Sequence, residues 1–161
     1  MRVAGIIRNS VVNGIGIRDV IFLQGCMHHC KGCHNPETWK VEGGKVYTVE
    51  ELVAEFEDST NDITISGGEP FLQFEEMFHF IKAMRMKGKH VWLYTGYTYE
   101  EIPWFELWML AGYVDVLVDG RFEVNKKDLK LKFRGSSNQR LINLKKSVEL
   151  RQVVLWGDGN V

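Results

Sequence analysis

Residues 18–26 read Arg18-Asp19-Val20-Ile21-Phe22-Leu23-Gln24-Gly25-Cys26. A short apolar run breaks into a polar, glycine-bearing turn at a cysteine. The pattern recurs downstream: Asp62–Ile65 (DITI) runs into Ser66-Gly67-Gly68-Glu69, His90–Tyr94 (HVWLY) into Thr95-Gly96, and Val114–Val118 (VDVLV) into Asp119-Gly120. Continuous apolar runs of this kind suit strands of a sheet buried on both faces.

Helical patterns lie between these runs. Thr48-Val49-Glu50-Glu51 has capping-box spacing and opens a stretch with Leu52, Val53 and Phe56 on one face. Phe71, Phe74, Met77, Phe78, Ile81 and Met84 follow helical spacing, with Glu75 and Glu76 early and Lys82, Arg85 and Lys87 late, as the helix dipole favours. Glu100–Ala111 is a third helix, with Pro103 in its first turn and Gly112 as its C-cap. After residue 120, Leu129–Phe133 and Glu149–Trp156 read as strands, Lys126–Lys132 as a basic, solvated face, and Arg134–Arg140 as a turn-rich connection.

Strands alternating with helices predict an α/β fold of parallel βα units with right-handed crossovers. Each polar turn follows the carboxyl end of a strand, the edge that carries chemistry in parallel sheets. The cysteines and the Gly-Gly-Glu, Thr95-Gly96 and Asp119-Gly120 turns are therefore expected on one rim. Too few units are present to close an eight-fold barrel, so the expectation is a partial, open βα barrel, a single domain over residues 1–161.

Composition narrows the function classes. The 161 residues are 45% hydrophobic and 25% charged, with a net charge of −1. Such a chain has no global field for steering onto nucleic acid or an anionic membrane. No apolar run exceeds four or five residues, and Met1-Arg2-Val3-Ala4-Gly5 leads into strand-like sequence and not a signal peptide. The cytoplasm is the default expectation.

All 3 cysteines, Cys26, Cys30 and Cys33, fall in one short segment. An odd, clustered set excludes a full disulfide framework and suggests a metal or cluster site. Iron–sulfur clusters are held by cysteine thiolates, and three ligands leave one iron open. Two other readings stand beside this one. Zinc bound by the three cysteines and one of His28, His29 or His34 would crowd four tetrahedral ligands onto one loop. A redox disulfide lacks the expected helix after Cys30-Lys31-Gly32-Cys33.

The spacing C-x3-C-x2-C resembles the signature of the radical S-adenosylmethionine enzymes. Within that superfamily the chain resembles the activating-protein family of anaerobic (class III) ribonucleoside-triphosphate reductases. The matching stretches are Val12–Arg18, Phe22–Trp39, Ser66–Pro70, Trp92–Tyr97, Asp115–Phe122 and Arg134–Arg140. Activases of pyruvate formate-lyase are similar near the cysteines but longer.

The resemblance implies a partial barrel of the radical S-adenosylmethionine type. It implies a 4Fe-4S cluster on Cys26, Cys30 and Cys33, whose fourth iron is chelated by S-adenosylmethionine. Gly67, Gly68 and Glu69 match the turn beside the methionine amino group, and Gly32, Cys33 and His34 lie where the family brings backbone groups to the adenine. The implied reaction is reductive cleavage to methionine and a 5′-deoxyadenosyl radical, which takes a hydrogen from a glycine of the reductase. Reduced flavodoxin, or a similar protein, is the implied electron donor. Many superfamily members carry an aromatic residue where this chain has Gly32, and related activases often have Pro where it has Ile15. The alternatives are an activase of a different glycyl radical enzyme, a radical enzyme acting on a small molecule, and a zinc-binding interaction module.

Several other residues carry paired readings. His28 and His29 read as exposed loop side chains rather than ligands. Asn13 and Arg18 either orient the cofactor carboxylate or fix the lead-in to the first apolar strand. Thr95, Tyr97 and Asp119 either face the site or close turns. Ser136, Ser137 and Asn138 either contact cofactor or partner or form a structural turn.

Overall fold

The four apolar runs are neighbours in one sheet. In this computed structural model, which describes residues 1–157, the chain runs through β1 (Arg2–Ser10), β2 (Arg18–Leu23), β3 (Lys45–Val46), α1 (Val49–Ala54), β4 (Asp62–Gly67), α2 (Phe74–Met86), β5 (Val91–Tyr94), α3 (Trp104–Leu110), β6 (Val116–Asp119), β7 (Arg140–Asn143) and α4 (Leu144–Leu150). The sheet order is β3-β1-β2-β4-β5-β6-β7. Neighbours among β2, β4, β5 and β6 are parallel, whereas β1 and β7 flank them antiparallel. The architecture is mixed α/β, and the sheet is not closed, since β3 and β7 lie at opposite ends of the order. Among the described residues, no helix is long and apolar enough to cross a membrane.

Alternation along the strands separates two faces. Ile21, Leu23, Ile63, Ile65, Leu93 and Leu117 join the larger core. The buried residues of all four helices join the same core: Leu52, Met77, Phe80, Ile81, Met84, Leu107, Leu110, Leu144 and Val148. Each such side chain stabilises by about 1.5–3 kcal/mol relative to exposure. Trp92, Val116 and Val118 point the other way and gather Tyr94, Phe133, Leu141 and Trp156. Among the described residues, no helical side chain joins this second cluster. The sheet therefore has one helix-covered face and one that is left for loops.

The capping box at Thr48 is present in both directions, with Glu51 N donating to Thr48 Oγ1 at 3.0 Å and Thr48 N donating to Glu51 Oε2 at 2.9 Å. The predicted helix from Phe71 begins instead as a 3-10 turn, Pro70–Gln73, before α2. Pro103 is the N-cap of α3, not part of its first turn. Its C-cap is Ala111 in right-handed helical conformation and not Gly112, because no left-handed residue is needed there.

Arg18 fixes the lead-in to β2. Its buried guanidinium donates to Thr64 Oγ1 (2.7 Å) and to the carbonyls of Ile15 (2.9 Å), Ile63 (2.7 Å) and His90 (2.7 Å). Burial, opposed by the charge of Asp62, lowers its pKa to about 10. The β1–β2 loop is thereby held across the helix-free face.

Two strand expectations fail. Leu129–Phe133 is not a strand: Leu131 N donates back to Asp128 O, and Phe133 takes a left-handed φ of 66°, so the chain turns. In Glu149–Trp156 the first residues belong to α4, nucleated by Asn143 Oδ1 accepting from Lys146 N at 3.1 Å. Arg151 ends that helix in left-handed conformation. Only its last residues run along β7, through Asn143 N to Val154 O and Trp156 N to Leu141 O, each at 2.8 Å.

At the opposite end of β2 from the cysteines, Asp19 is buried. It accepts from Ser59 Oγ (2.6 Å), Asn61 Nδ2 (2.9 Å), Arg8 (3.2 Å) and Asn9 N (3.3 Å). Burial pushes its pKa up, but these donors outweigh burial and hold it below the ordinary carboxylate value. A depressed folded pKa adds stability that is present above the unfolded value, about 4, and is lost as pH falls through the folded one. Asp19→Asn is therefore expected to destabilise by about 2 kcal/mol at neutral pH. In urea titrations across pH, its stability should fall less steeply below about pH 4 than that of the wild type.

Candidate functional site

The four rim segments meet around one cleft of about 780 Å³. Cys26, Cys30, Cys33 and His34 line it, together with Ser66 and Gly67 at the end of β4 and Gly68 after it, Thr95 and Gly96 after β5, and Gly120, Arg121 and Phe122 after β6. Phe22 and Tyr94 form its floor from the helix-free face of the sheet. The volume lies within the usual range for small-molecule sites. Gly32 and Glu69 do not line the cleft. Gly32 is exposed at φ 76°, with Val124 and Phe122 beside the position a Cβ would take.

The cysteine loop leaves β2 at Leu23 and is closed at its base. Gly25 N donates to Thr38 O (2.6 Å) and Cys26 N to Trp39 O (3.2 Å). The Gln24 amide donates to the carbonyls of Glu37 (3.1 Å) and Lys40 (2.6 Å). His29 stacks on Trp39 with ring centroids 4.5 Å apart.

The Gly-Gly-Glu turn is pressed against the start of this loop. Gly68 N donates to Leu23 O and Glu69 N to Gly25 O, both at 2.8 Å. Gly67 has a φ of 106°, and a Cβ there would lie 2.2 Å from Leu23 N, so no other residue fits without displacing backbone.

Sequence reasoning placed the Glu69 carboxylate near a bound ammonium. The structure uses it inside the protein. Glu69 is fully buried and accepts from His28 Nε2 (2.7 Å), Gly96 N (2.8 Å), Phe71 N (3.0 Å) and Thr95 Oγ1 (2.9 Å). A carboxylate only accepts, so Nε2 is the protonated ring nitrogen of His28. His28 was expected to be exposed, but its side chain is 5% exposed. It lies edge-on to Tyr97 at 4.7 Å, and its ring fills the space a Cβ on Gly96 would need. Its packing depends on a partner far away in sequence. The only local signal for it was a histidine between two cysteines.

The other residues with paired readings make contacts within the protein, and Thr95 and Asn13 also line the cleft. Thr95 Oγ1, besides binding Glu69, accepts from Tyr97 N at 3.1 Å. Asp119 is buried and accepts from Tyr99 N (2.7 Å) and from Arg140, which is itself paired with Glu100 at 2.7 Å. Ser136 Oγ accepts from Glu123 N (3.2 Å), and Asn138 donates to Arg121 O (2.7 Å). Asn13 lines the cleft, with Oδ1 accepting from Ser10 Oγ at 2.7 Å.

All three cysteines are free and half-buried. Burial pushes the Cys26 thiol up, and the charge of Glu69 adds to this, while backbone amides of His28 and His29 pull it down. Burial likewise raises Cys30, against the backbone amide of Phe122. Asn35 N donates to Cys33 Sγ at 3.4 Å. Three half-buried thiols lining one cleft are a donor set suited to a cationic inorganic centre, which deprotonates the thiols it binds. Among the described residues, no three His, Cys, Asp or Glu side chains converge as ligands of a single ion. Three cysteine thiols lining one cleft are a donor set that iron–sulfur clusters use.

Comparison with known proteins agrees. A family model described as "4Fe-4S single cluster domain" matches residues 12–142, which places the chain in that class of iron–sulfur proteins. It is 40% identical over 139 residues to the anaerobic ribonucleoside-triphosphate reductase-activating protein of Enterobacteria phage T4, covering 81% of this chain and 86% of that one. It is 37% identical to the protein of that name from Vibrio cholerae serotype O1, and 34% identical to that of Escherichia coli K12, each over 140 residues, 81% of this chain and 90% of the relative. The chain belongs to the family of anaerobic ribonucleoside-triphosphate reductase-activating proteins.

Glu69→Ala leaves four donors without their acceptor. It is expected to cost about 3 kcal/mol or more in urea unfolding. His28→Ala removes one donor, so its loss of stability should be smaller. The same substitution should lower the iron bound per chain after anaerobic reconstitution, because the His28–Glu69 pairing holds the cysteine loop against the rim.

Proposed function

We propose that this protein activates an anaerobic ribonucleoside-triphosphate reductase by installing a glycyl radical on it, as a radical S-adenosylmethionine enzyme with the partial, open βα barrel of that superfamily. The carrying observation is the convergence of Cys26, Cys30 and Cys33 with the Gly67-Gly68 turn on one cleft. When bound, a 4Fe-4S cluster and S-adenosylmethionine supply an electron and a cleavable carbon–sulfur bond, giving methionine and a 5′-deoxyadenosyl radical that takes a glycine hydrogen.

The chain's own residues supply positioning. Cys26, Cys30 and Cys33 each hold one iron. Gly67 and Gly68 bring their backbone beside the methionine amino group, with the Glu69 carboxylate below fixing the turn. Cys33 and His34 face the adenine, and Phe122, whose ring lies 5.0 Å from that of His34, offers the aromatic surface that Gly32 lacks. Gly32 contributes backbone only. The loops over the cleft exclude water from a reactive centre. Electrons come from reduced flavodoxin or a similar protein, and neither nucleic acid nor membrane is required.

With anaerobically reconstituted protein, dithionite and S-adenosylmethionine are expected to yield 5′-deoxyadenosine. Cys26→Ala, Cys30→Ala and Cys33→Ala should each abolish it. The wild type should be brown and bleach on reduction. A colourless protein with stoichiometric zinc, no iron and no cleavage would falsify the reading.

A further inference from the structure

The basic stretch Lys126–Lys132 reads in sequence as a solvated face. The structure leaves it exposed and sets it at the site: residues 127–135 form one wall of the cleft. Between residues 121 and 134 stand six cationic side chains (Arg121, Lys126, Lys127, Lys130, Lys132, Arg134) and two acidic ones (Glu123, Asp128), in a chain whose net charge is −1. A local excess of positive charge thus stands at the mouth of the site.

This wall is held in shape by contacts that do not use the ammonium groups of Lys127, Lys130 or Lys132. Tyr94 Oη donates to Phe133 O at 2.5 Å, tying the segment to the cleft floor. Ser137 N donates to Lys126 O (2.9 Å), Lys127 bridges Ser136, and Asp128 N donates to Gly135 O (3.3 Å). Lys126 pairs with Glu123 at 3.4 Å. Among the described residues, Lys127, Lys130 and Lys132 have no carboxylate within 4.0 Å, and all three are exposed.

An apolar component accompanies the charge. Leu129, at the turn of this segment, is 87% exposed. Val11 and Val12 of the β1–β2 loop line the same cleft, 64% and 70% exposed. The mouth therefore presents ordered cations together with apolar side chains, an arrangement that suits a peptide segment carrying both acidic and small apolar residues.

We propose that residues 126–134 are a docking arm for an acidic segment of the reductase next to its glycine loop. The inference rests on the proposed activation of that reductase. Lys127, Lys130 and Lys132 pair with carboxylates of that segment, while Leu129, Val11 and Val12 cover its apolar part. The charges act on association with the reductase, from the outer wall of the same cleft.

The test compares wild type with the triple variant Lys127→Glu/Lys130→Glu/Lys132→Glu and a matching triple Arg variant, all reconstituted and checked by thermal melting. Affinity for the reductase is measured at low and high salt with dithionite as the only reductant. The Glu variant is expected to lose at least about tenfold in affinity at low salt, and the wild type to weaken similarly at high salt. The Arg variant should match wild type in affinity, and cleavage of S-adenosylmethionine without reductase, measured in all three, separates a loss of docking from a loss of the cofactor.

A Glu variant that binds the reductase as the wild type does overturns the arm alone. So does one that loses reductase-free cleavage, which would assign the lysines to the cofactor. A Glu variant that fails only when a protein electron donor replaces dithionite assigns the arm to that donor, and overturns the proposal. A wild type that cleaves no S-adenosylmethionine overturns the functional reading and the arm with it.

Discussion

The buried carboxylate of Glu69 is the interaction on which the rest of the site depends. Removing a carboxylate from water costs several kcal/mol unless its acceptor positions are filled. Here the donors come from three different segments: His28 in the cysteine loop, Phe71 in the turn after β4, and Thr95 and Gly96 after β5. None of these segments has much core of its own. The carboxylate is satisfied only when all three are in place, so the rim behaves as one unit. The same demand explains Gly67 and Gly96, where any side chain would push the segments apart.

The second constraint is the placement of the helices. All four bury their apolar side chains against one face of the sheet. The other face keeps Trp92, Val116 and Val118 under loops and leaves room for the cleft above Phe22 and Tyr94. An open sheet with one loop-covered face allows a large substrate to approach. The proposed substrate is a backbone glycine of another protein, for which a sealed pocket would be useless. The cationic segment at the mouth gives such a partner a preferred side of approach.

Much of this was legible in the sequence because it depends on local chemistry. Arg18–Leu23 forms a strand over those same residues, and Thr48 with Glu51 forms the capping box its spacing implies. The convergence of four polar turns follows from parallel strands, whose carboxyl ends share an edge. The misreadings share a different cause. Leu129–Phe133 has strand composition, but Phe133 adopts a left-handed turn and Tyr94 holds its carbonyl. The last predicted strand begins as α4 because Asn143 caps a helix there. His28 reads as a surface side chain because its partner, Glu69, stands 41 positions away. No local pattern carries such a contact.

The central claim is that three thiolates on this rim and the Gly67-Gly68 turn serve radical chemistry on a partner glycine. Electron paramagnetic resonance tests it most directly. Reconstituted protein, dithionite, S-adenosylmethionine and the anaerobic reductase are mixed and frozen. A glycyl-radical doublet is expected on the reductase, absent when Cys30→Ala replaces the wild type. An iron-loaded wild type that cleaves S-adenosylmethionine yet leaves the reductase without that signal would contradict it.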